Sequence, residues 1–484
     1  MNFIRSIRYE IWVALCCMAL CALSMYAVAT SRYVLIYAPI LLSFGLLVIG
    51  YFLLHKANLL RAVFLLSPLS VGVTVIGEAE MQLPTEPIIG LLMLLLIAST
   101  AGFAGLMKDL WKGVINSLLA LEIIWLVVCT LNSELMLVSA KYTFIRICYA
   151  GVFFFLALQW MRKEKKPEQL ILLYLAGMAL PIVNTLVRHG TLDFLPQTSY
   201  QMPKPFYNDH TVYGACLAFV IPMIGVLTFY HLRKATSAFI KYGFLVLFIL
   251  LLSVEFLSYS RAAWLSLGGA LGLYMLIRWK ASGSVFLVLL IAGAVTLFAA
   301  QDIIVEKLST TEAISSKGDV EDHFKSITNI ETDASNKERI NRWKCAVRMG
   351  ADRPVFGYGP RTYKYMYGRF QVREDMTYTS TFNGTKGHAH SDYLAFLAEC
   401  GWIGFLLHIG LFIAVVMKGL NVIRNCRSEY NRVVAIGALL GFFTYVIHGI
   451  FNGFMEEDKM ASLVFVSMAI IVYVGEQKEK QTAP

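Results

Sequence analysis

Charge is what this 484-residue sequence has least of. Only 15% of it is Asp, Glu, Lys or Arg, against about 25% in a typical soluble domain. It has no glycine-rich phosphate loop, no dinucleotide fingerprint and no serine nucleophile elbow, so nothing in it supports the use of ATP. Its nine cysteines contain no pair at zinc-site spacing. Of these only Cys345 falls in the one long polar run, 301–391, which excludes a disulfide within that run. No internal repeat and no low-complexity segment interrupts the chain.

What the sequence has instead is apolar bulk. Hydrophobic residues make up 57% of it, more than a water-soluble core can absorb, and the class is a polytopic membrane protein. The formal net charge of +10 is therefore not the mark of a nucleic-acid partner. It divides between loops that set topology and one local basic patch.

A crossing helix needs about 20 apolar residues. Fourteen stretches qualify: 11–30, 33–53, 60–77, 87–106, 113–131, 143–161, 169–187, 211–230, 239–257, 262–277, 284–300, 392–417, 433–452 and 460–474. Pro68 interrupts the third. The expected fold is all-α, a polytopic transmembrane bundle of about 12–14 spans with one large, partly helical extracytoplasmic loop. Lys and Arg crowd one set of alternate loops: Arg5 and Arg8, Lys56 and Arg61, Lys108 and Lys112, Arg162 to Lys166, Arg233 to Lys241, Arg278 and Lys280, Lys418 to Arg432, and Lys478 and Lys480. The short loops on the opposite side, with their adjacent span ends, hold only the scattered cations Arg32, Lys141, Arg188, Lys204, Arg261 and Lys459. By the positive-inside rule both termini are cytoplasmic and 301–391 lies outside. Ala27-Val28-Ala29 imitates a signal-peptide cleavage site, but the apolar run before it is long for one, and the segment is read as a retained anchor.

The polar run splits by charge. Residues 302–335 carry eight acids against three lysines; 337–369 carry nine bases against Glu338 and Asp352. The acidic half has a surface loop's composition. The basic half opens on a capping-box pattern, Ser335-x-x-Glu338, which predicts a helix running to Met349 and stopping at Gly350, with Pro354 beyond. On that helix Arg339, Arg342 and Trp343 share a face. A guanidinium fork binds two phosphate oxygens at once, so an arginine cluster at a membrane surface suits a lipid carrying phosphate. Simple contact with lipid headgroups is the plainer alternative.

Other candidates lie near the same surface. Arg261 follows Ser258-Tyr259-Ser260 at the junction of two spans. Arg146 lies about one turn inside its span, where an ionisable group is functional by default. Snorkelling to the interface accounts for either. His388 and His390 stand where the run returns to the membrane; a histidine there suits a general base or a hydrogen-bond donor. Their i, i+2 spacing does not share a helix face, so no two-histidine metal site is expected. Asp209 and His210 sit at another outer span mouth, where Asp209 suits helix capping. Glu456, Glu457 and Asp458 read as a solvated acidic turn, not a metal site.

Three blocks together resemble the O-antigen ligase and polymerase superfamily of bacterial envelope glycosyltransferases. SRAAW, from Ser260 to Trp264, resembles its Ser-Arg-small-small-Trp signature. RINRWKCAVRMGADRPVFGYGPRTY resembles the block in which a helical Arg and Trp precede Pro-x-x-Gly-x-Gly. HSDYLAFLAECGWIG, from His390, resembles its His-(Asn or Ser)-x-x-Leu motif with a following Glu-x-Gly. They span roughly Ser258 to Gly404; His388 has no clear counterpart.

The resemblance implies a C-type glycosyltransferase-like bundle. It would have an N-terminal membrane region 1–257, a ligase-like region 258–474 and a tail 475–484. It also implies transfer of a glycan from undecaprenyl diphosphate to an acceptor hydroxyl of lipid A–core or another glycan, with inversion and without metal, ATP or other cofactor. Arg261 and Arg339 or Arg342 would bind the donor diphosphate and His390 would orient or deprotonate the acceptor. Trp343, Arg361, Arg146, His210 and His388 would line the substrate site. A ligase leads, a polymerase or protein-modifying relative follows, and a transporter of lipid-linked sugars is set aside because the spans read as nearly charge-free at their centres.

Overall fold

A computed structural model describes residues 56–76, 79–280, 283–286, 288, 334–376, 380 and 387–482. Arg61–Pro484 forms one compact unit; the preceding unit, Met1–Leu60, is described only from 56 to 60. The helices are α1 Lys56–Leu66, α2 Thr85–Ala98, α3 Thr100–Leu110, α4 Val114–Leu131, α5 Met136–Glu164, α6 Gln169–Gly190, α7 His210–Arg233, α8 Ala238–Phe256 and α9 Arg261–Arg278. The polar α10 is Ala334–Asp352, and α11 Asp392–Asn425, α12 Glu429–Phe451 and α13 Asp458–Thr482 complete the bundle. Eight of these are long and apolar enough to cross a membrane, or nine if the bent pair α2–α3 counts as one span. The protein is a helical, multi-pass membrane protein.

Burial orders the bundle. The apolar windows of α7 and α13 are 83% buried, so both are central, whereas α8 at 17% is peripheral. An apolar helix this exposed is covered by lipid tails. Within the core α7 packs on α12, α12 on α9 and α13, and α4 on α11.

Among the described stretches the expected spans correspond with three exceptions. The stretch 60–77 is not a span: α1 ends at Leu66, Pro68 sits in a single 3₁₀ turn, and Val71–Ile76 pairs antiparallel with Ala79–Leu83 in a hairpin, Val71 opposite Leu83. Proline cannot continue the hydrogen-bond ladder, and the β-branched run that follows prefers an extended chain. The stretch 87–106 is bent by 91° between α2 and α3. The stretch 262–277 is a helix of 18 residues with an arginine at each end. Stretches 11–30 and 33–53, most of 284–300 and the acidic segment 302–333 lie outside the described residues.

Helix α11 is broken, and the break organises the polar end of the bundle. Its helical geometry is interrupted at Gly401 (φ 66°, ψ −172°). A break inside lipid would leave backbone groups unsatisfied. Here the Pro354–Gly359 loop satisfies them: Tyr358 N donates to Ala398 O (3.1 Å), Gly359 N to Glu399 O (2.9 Å), and Trp402 N donates to Pro354 O (2.8 Å). The Trp125 indole of α4 donates to Cys400 O (3.0 Å). Gly357 (φ 64°) faces the break, and a Cβ on either glycine would overlap the opposing backbone. Both conditions, positive φ and close approach, require glycine.

Gly401→Ala is therefore expected to destabilise the protein by at least about 2 kcal/mol. Gly410→Ala, nine residues along the same helix and with open space around it, should be neutral or mildly stabilising. Thermal unfolding of the detergent-purified variants checks the pair.

Candidate functional site

The basic helix α10 is held by an apolar stripe. Cys345, Ala346 and Met349 are buried against Tyr358, Tyr363, Tyr367 and Ala398 of the flanking segments. Two local expectations need correction. Gly350 does not stop the helix, which runs to Asp352. Gly350 instead lets α10 approach α11, where an added Cβ would sit 2.6 Å from Leu397 Cγ. Pro354 disfavours helical geometry in the residue before it and sets the boundary. The helix also begins earlier than the capping-box pattern places it, and already includes Ala334 and Ser335. Glu338 accepts from Arg342 Nε (2.8 Å) and from the Ser380 hydroxyl.

Arg342 and Trp343 share a face as the spacing predicts, and both act on the backbone of the loop that leads into α11. Arg342 donates to His388 O (3.1 Å) and lies over the Tyr367 ring (5.2 Å). The Trp343 indole donates to His390 O (3.1 Å). His390 is thereby fixed in the left-handed region (φ 50°), an uncommon conformation for a residue with a side chain and one often found at functional sites. Ser391 then caps α11, its hydroxyl accepting from Leu394 N.

The result is a cleft at one end of the bundle, about 20 Å³ at its enclosed floor, lined by Arg361, Tyr363, Lys364, His388, Ala389, His390, Ser391, Asp392, Ala395, Glu399, Gly453 and Glu456. That floor holds about one water. Arg361 is the best-fixed cation in it. Its backbone is left-handed (φ 64°), and Glu399 accepts from the amides of Arg361 (2.8 Å) and Tyr363 (3.1 Å). Its guanidinium pairs with Glu456 and lies 3.4 Å from His388 Nδ1. Asp392 adds a carboxylate: Oδ2 accepts from the Tyr445 hydroxyl, and Oδ1 faces Gly453, 2.9 Å from where a Cβ there would sit.

A second group of residues adjoins this cleft. Asp209 caps α7, accepting from Thr211 N (2.7 Å) and Val212 N (3.1 Å), as its position predicts. The Ser258–Ser260 turn is locked against the same end of α7, where a Cβ on Gly214 would lie 2.7 Å from Ser260 Cβ. Arg261, the first residue of α9, therefore shares an electrostatic neighbourhood with His210 and Arg339. Arg339 also acts on His390 and, with Asp209, on His448. Burial, followed by the fields of Arg342 and Arg339, pushes His390 down to about 4. The histidine is neutral at ordinary pH because it is buried and, second, because its surroundings are already cationic.

Arg146 does not join this cluster. It is buried among the helices, its Nη2 2.8 Å from Glu122 Oε1, with His408 Nδ1 3.4 Å from Glu122 Oε2 and the Phe465 ring 5.0 Å from its guanidinium. Snorkelling is thus excluded, and so is the reading of the span centres as nearly charge-free: α4, α5 and α11 each bring an ionisable group to one buried triad. Glu122 and His408 stood in view in apolar stretches, as did Asp392 and Glu399 of the cleft, while Glu456 stood in the acidic turn between two spans. Only the fold reveals what each one faces.

The depressed His390 generates a pH test. In the unfolded chain an ordinary histidine takes a proton near 6.5; in the folded protein His390 resists protonation to about 4. The unfolded state binds the proton first as pH falls, so this contribution to stability is complete above about pH 6.5 and is lost towards pH 4. The melting temperature should drop across that window, with a shallower drop in His390→Gln. An unchanged slope in the variant would refute the assignment.

No individual curated protein matches the chain in sequence. Residues 246–409, which run from α8 through Arg261, the α10 face, the Pro354–Gly359 loop and His390 into α11, match the family described as O-antigen ligase. This region is thus similar to the O-antigen ligase family, a match that supports glycosyl transfer of the O-antigen ligase/polymerase type.

Proposed function

We propose that the protein is an O-antigen ligase of the bacterial inner membrane. In this reading it moves a glycan from undecaprenyl diphosphate to a hydroxyl of lipid A–core on the outer face, with both termini cytoplasmic and residues 301–391 periplasmic. The observation that carries the reading is that Arg361 lines one cleft with His390, while Arg339 faces His390 and, together with Arg261, the nearby His210.

The chemistry follows from charge. As the bond from the anomeric carbon to the diphosphate breaks, its electron pair passes to the phosphate oxygen. Arg261 and Arg339 offset that growing negative charge where little water screens it. Arg361 exchanges Glu456 for a phosphate oxygen, a like-for-like swap of anion on one fork. The acceptor hydroxyl attacks the anomeric carbon and must lose its proton. A histidine held near 4 is a weak base but a good neutral hydrogen-bond partner. His390 accordingly orients the hydroxyl, and Asp392 Oδ1 takes the proton while Tyr445 holds Oδ2. Glu399 positions Arg361 through the two backbone amides. Arg342 and Trp343 position His390 through the carbonyls they bind.

With purified protein, Arg261→Ala and Arg339→Ala should each reduce transfer about 100-fold or more. Asp392→Asn should lower kcat by a similar factor with little change in KM. In cells, a strain lacking the gene should lose long glycan from lipid A–core and accumulate full-length polymer on the carrier lipid. Core bearing a single repeat would mean polymerase, and an unchanged profile would mean another acceptor.

A further inference from the structure

A second cavity lies at the other end of the same helices. It has a volume of about 280 Å³ and is lined by Lys112, Val114, Ile115, Asn116, Lys418 and Glu476, among others. Helix α13 starts at Asp458 beside the candidate active site and reaches this cavity at Gly475. That is a rise of about 26 Å, close to the hydrocarbon thickness of about 30 Å. The cavity therefore sits at the opposite membrane interface.

Its chemistry is one-sided. Helix α4 begins here after Gly113 (φ 90°), and no side chain caps its first amides, which present donors and the positive end of the helix dipole. Glu476 is neutralised twice, by Arg162 (2.7 Å) and by Lys112 (2.8 Å). Lys418 is exposed and has no ion pair among the described residues. A separate observation points to a ligand. Asn116 is 1% exposed and its amide nitrogen donates to Asp109 O (2.8 Å), yet its Oδ1 is buried with no partner. An orphaned buried acceptor is costly and calls for a donor. Val114, at the rim, is 64% exposed and continues the apolar surface towards the bilayer.

We propose that this cavity seats the headgroup of a phospholipid from the leaflet opposite the active site. The lipid phosphate is taken by the α4 amides with Lys418 and Lys112. A headgroup hydroxyl or ammonium donates to Asn116 Oδ1, and the acyl chains run past Val114. Phosphatidylglycerol and phosphatidylethanolamine carry such a donor; phosphatidylcholine does not.

The test is native mass spectrometry of the full chain in detergent, stripped of lipid and titrated with each of these three lipids or with glycerol 3-phosphate. One molecule of phosphatidylglycerol or phosphatidylethanolamine should bind at least tenfold more tightly than phosphatidylcholine. Lys418→Ala and the cavity-filling Val114→Trp should each weaken it at least fivefold while the melting temperature without lipid is kept. Lys418→Ala alone decides the matter if Val114→Trp does not fold. Equal binding of phosphatidylcholine, or unchanged binding in the lysine variant, would overturn the proposal. Competition by glycerol 3-phosphate as strong as by lipid would replace the lipid with a soluble phosphate. Neither result bears on the transferase reading.

Discussion

Backbone hydrogen bonds at membrane depth must be made within the protein, and this constraint governs the polar end of the structure. A continuous α11 would present an uninterrupted cylinder to the loop. By breaking at Gly401 it frees Ala398 O and Glu399 O to accept from Tyr358 and Gly359. The loop from Pro354 to Gly359 is thereby bonded into the bundle as firmly as a strand in a sheet. From that junction the rest follows. Arg361 comes two residues after Gly359 and is fixed by the Glu399 carboxylate just before the break. The start of α11, one side of the same junction, delivers Ser391 and Asp392 to the cleft. The basic helix α10, on the other side, holds the His388 and His390 carbonyls.

The same geometry divides the cations into two kinds. Arg342, Lys344 and Arg348 are tied to Glu338 and Asp375, the latter two at 2.5 Å from Asp375, and they brace the segment around α10. Arg361 lines the cleft, and Arg339 and Arg261 act on the histidines His390 and His210 beside it. Within the basic run of nine cations some members thus brace the fold, while Arg339 and Arg361 face the histidines of the candidate site. Below it, the Glu122–Arg146–His408 triad ties α4, α5 and α11 together in a region of low dielectric. Breaking one partner there would leave an uncompensated buried charge, far costlier than losing a surface pair. The three helices therefore resist sliding past each other.

Much of this was legible in the sequence. Long apolar runs define the spans because lipid admits little else, and the Arg339–Arg342–Trp343 face follows from helical spacing alone. The three motif blocks single out Arg261, the α10 arginines and His390, and the family match covers the same residues. The hairpin at Val71–Leu83 was hidden because hydropathy does not distinguish an apolar strand from part of a helix. Gly350 misled because glycine ends helices and also lets them touch, and only the neighbour, Leu397, decides which. Asp392 was passed over because a single acid carries no periodic signal, Glu399 entered only through the Glu-x-Gly motif, and Glu456 read as part of a solvated turn because the sequence does not show that Arg361 faces it. Arg146 reads like an interfacial arginine until Glu122, 24 residues away, is placed beside it.

The central claim is that the cations around His390 bind the diphosphate of a lipid-linked glycan and that the chain performs the transfer unaided. Purified protein in vesicles, given an undecaprenyl-diphosphate glycan and lipid A–core, tests it most directly by counting released undecaprenyl diphosphate against glycan joined to core. The account predicts equal amounts of both, abolished when Arg261 and Arg339 are replaced together. Release without joining, or transfer that survives the double replacement, would contradict it.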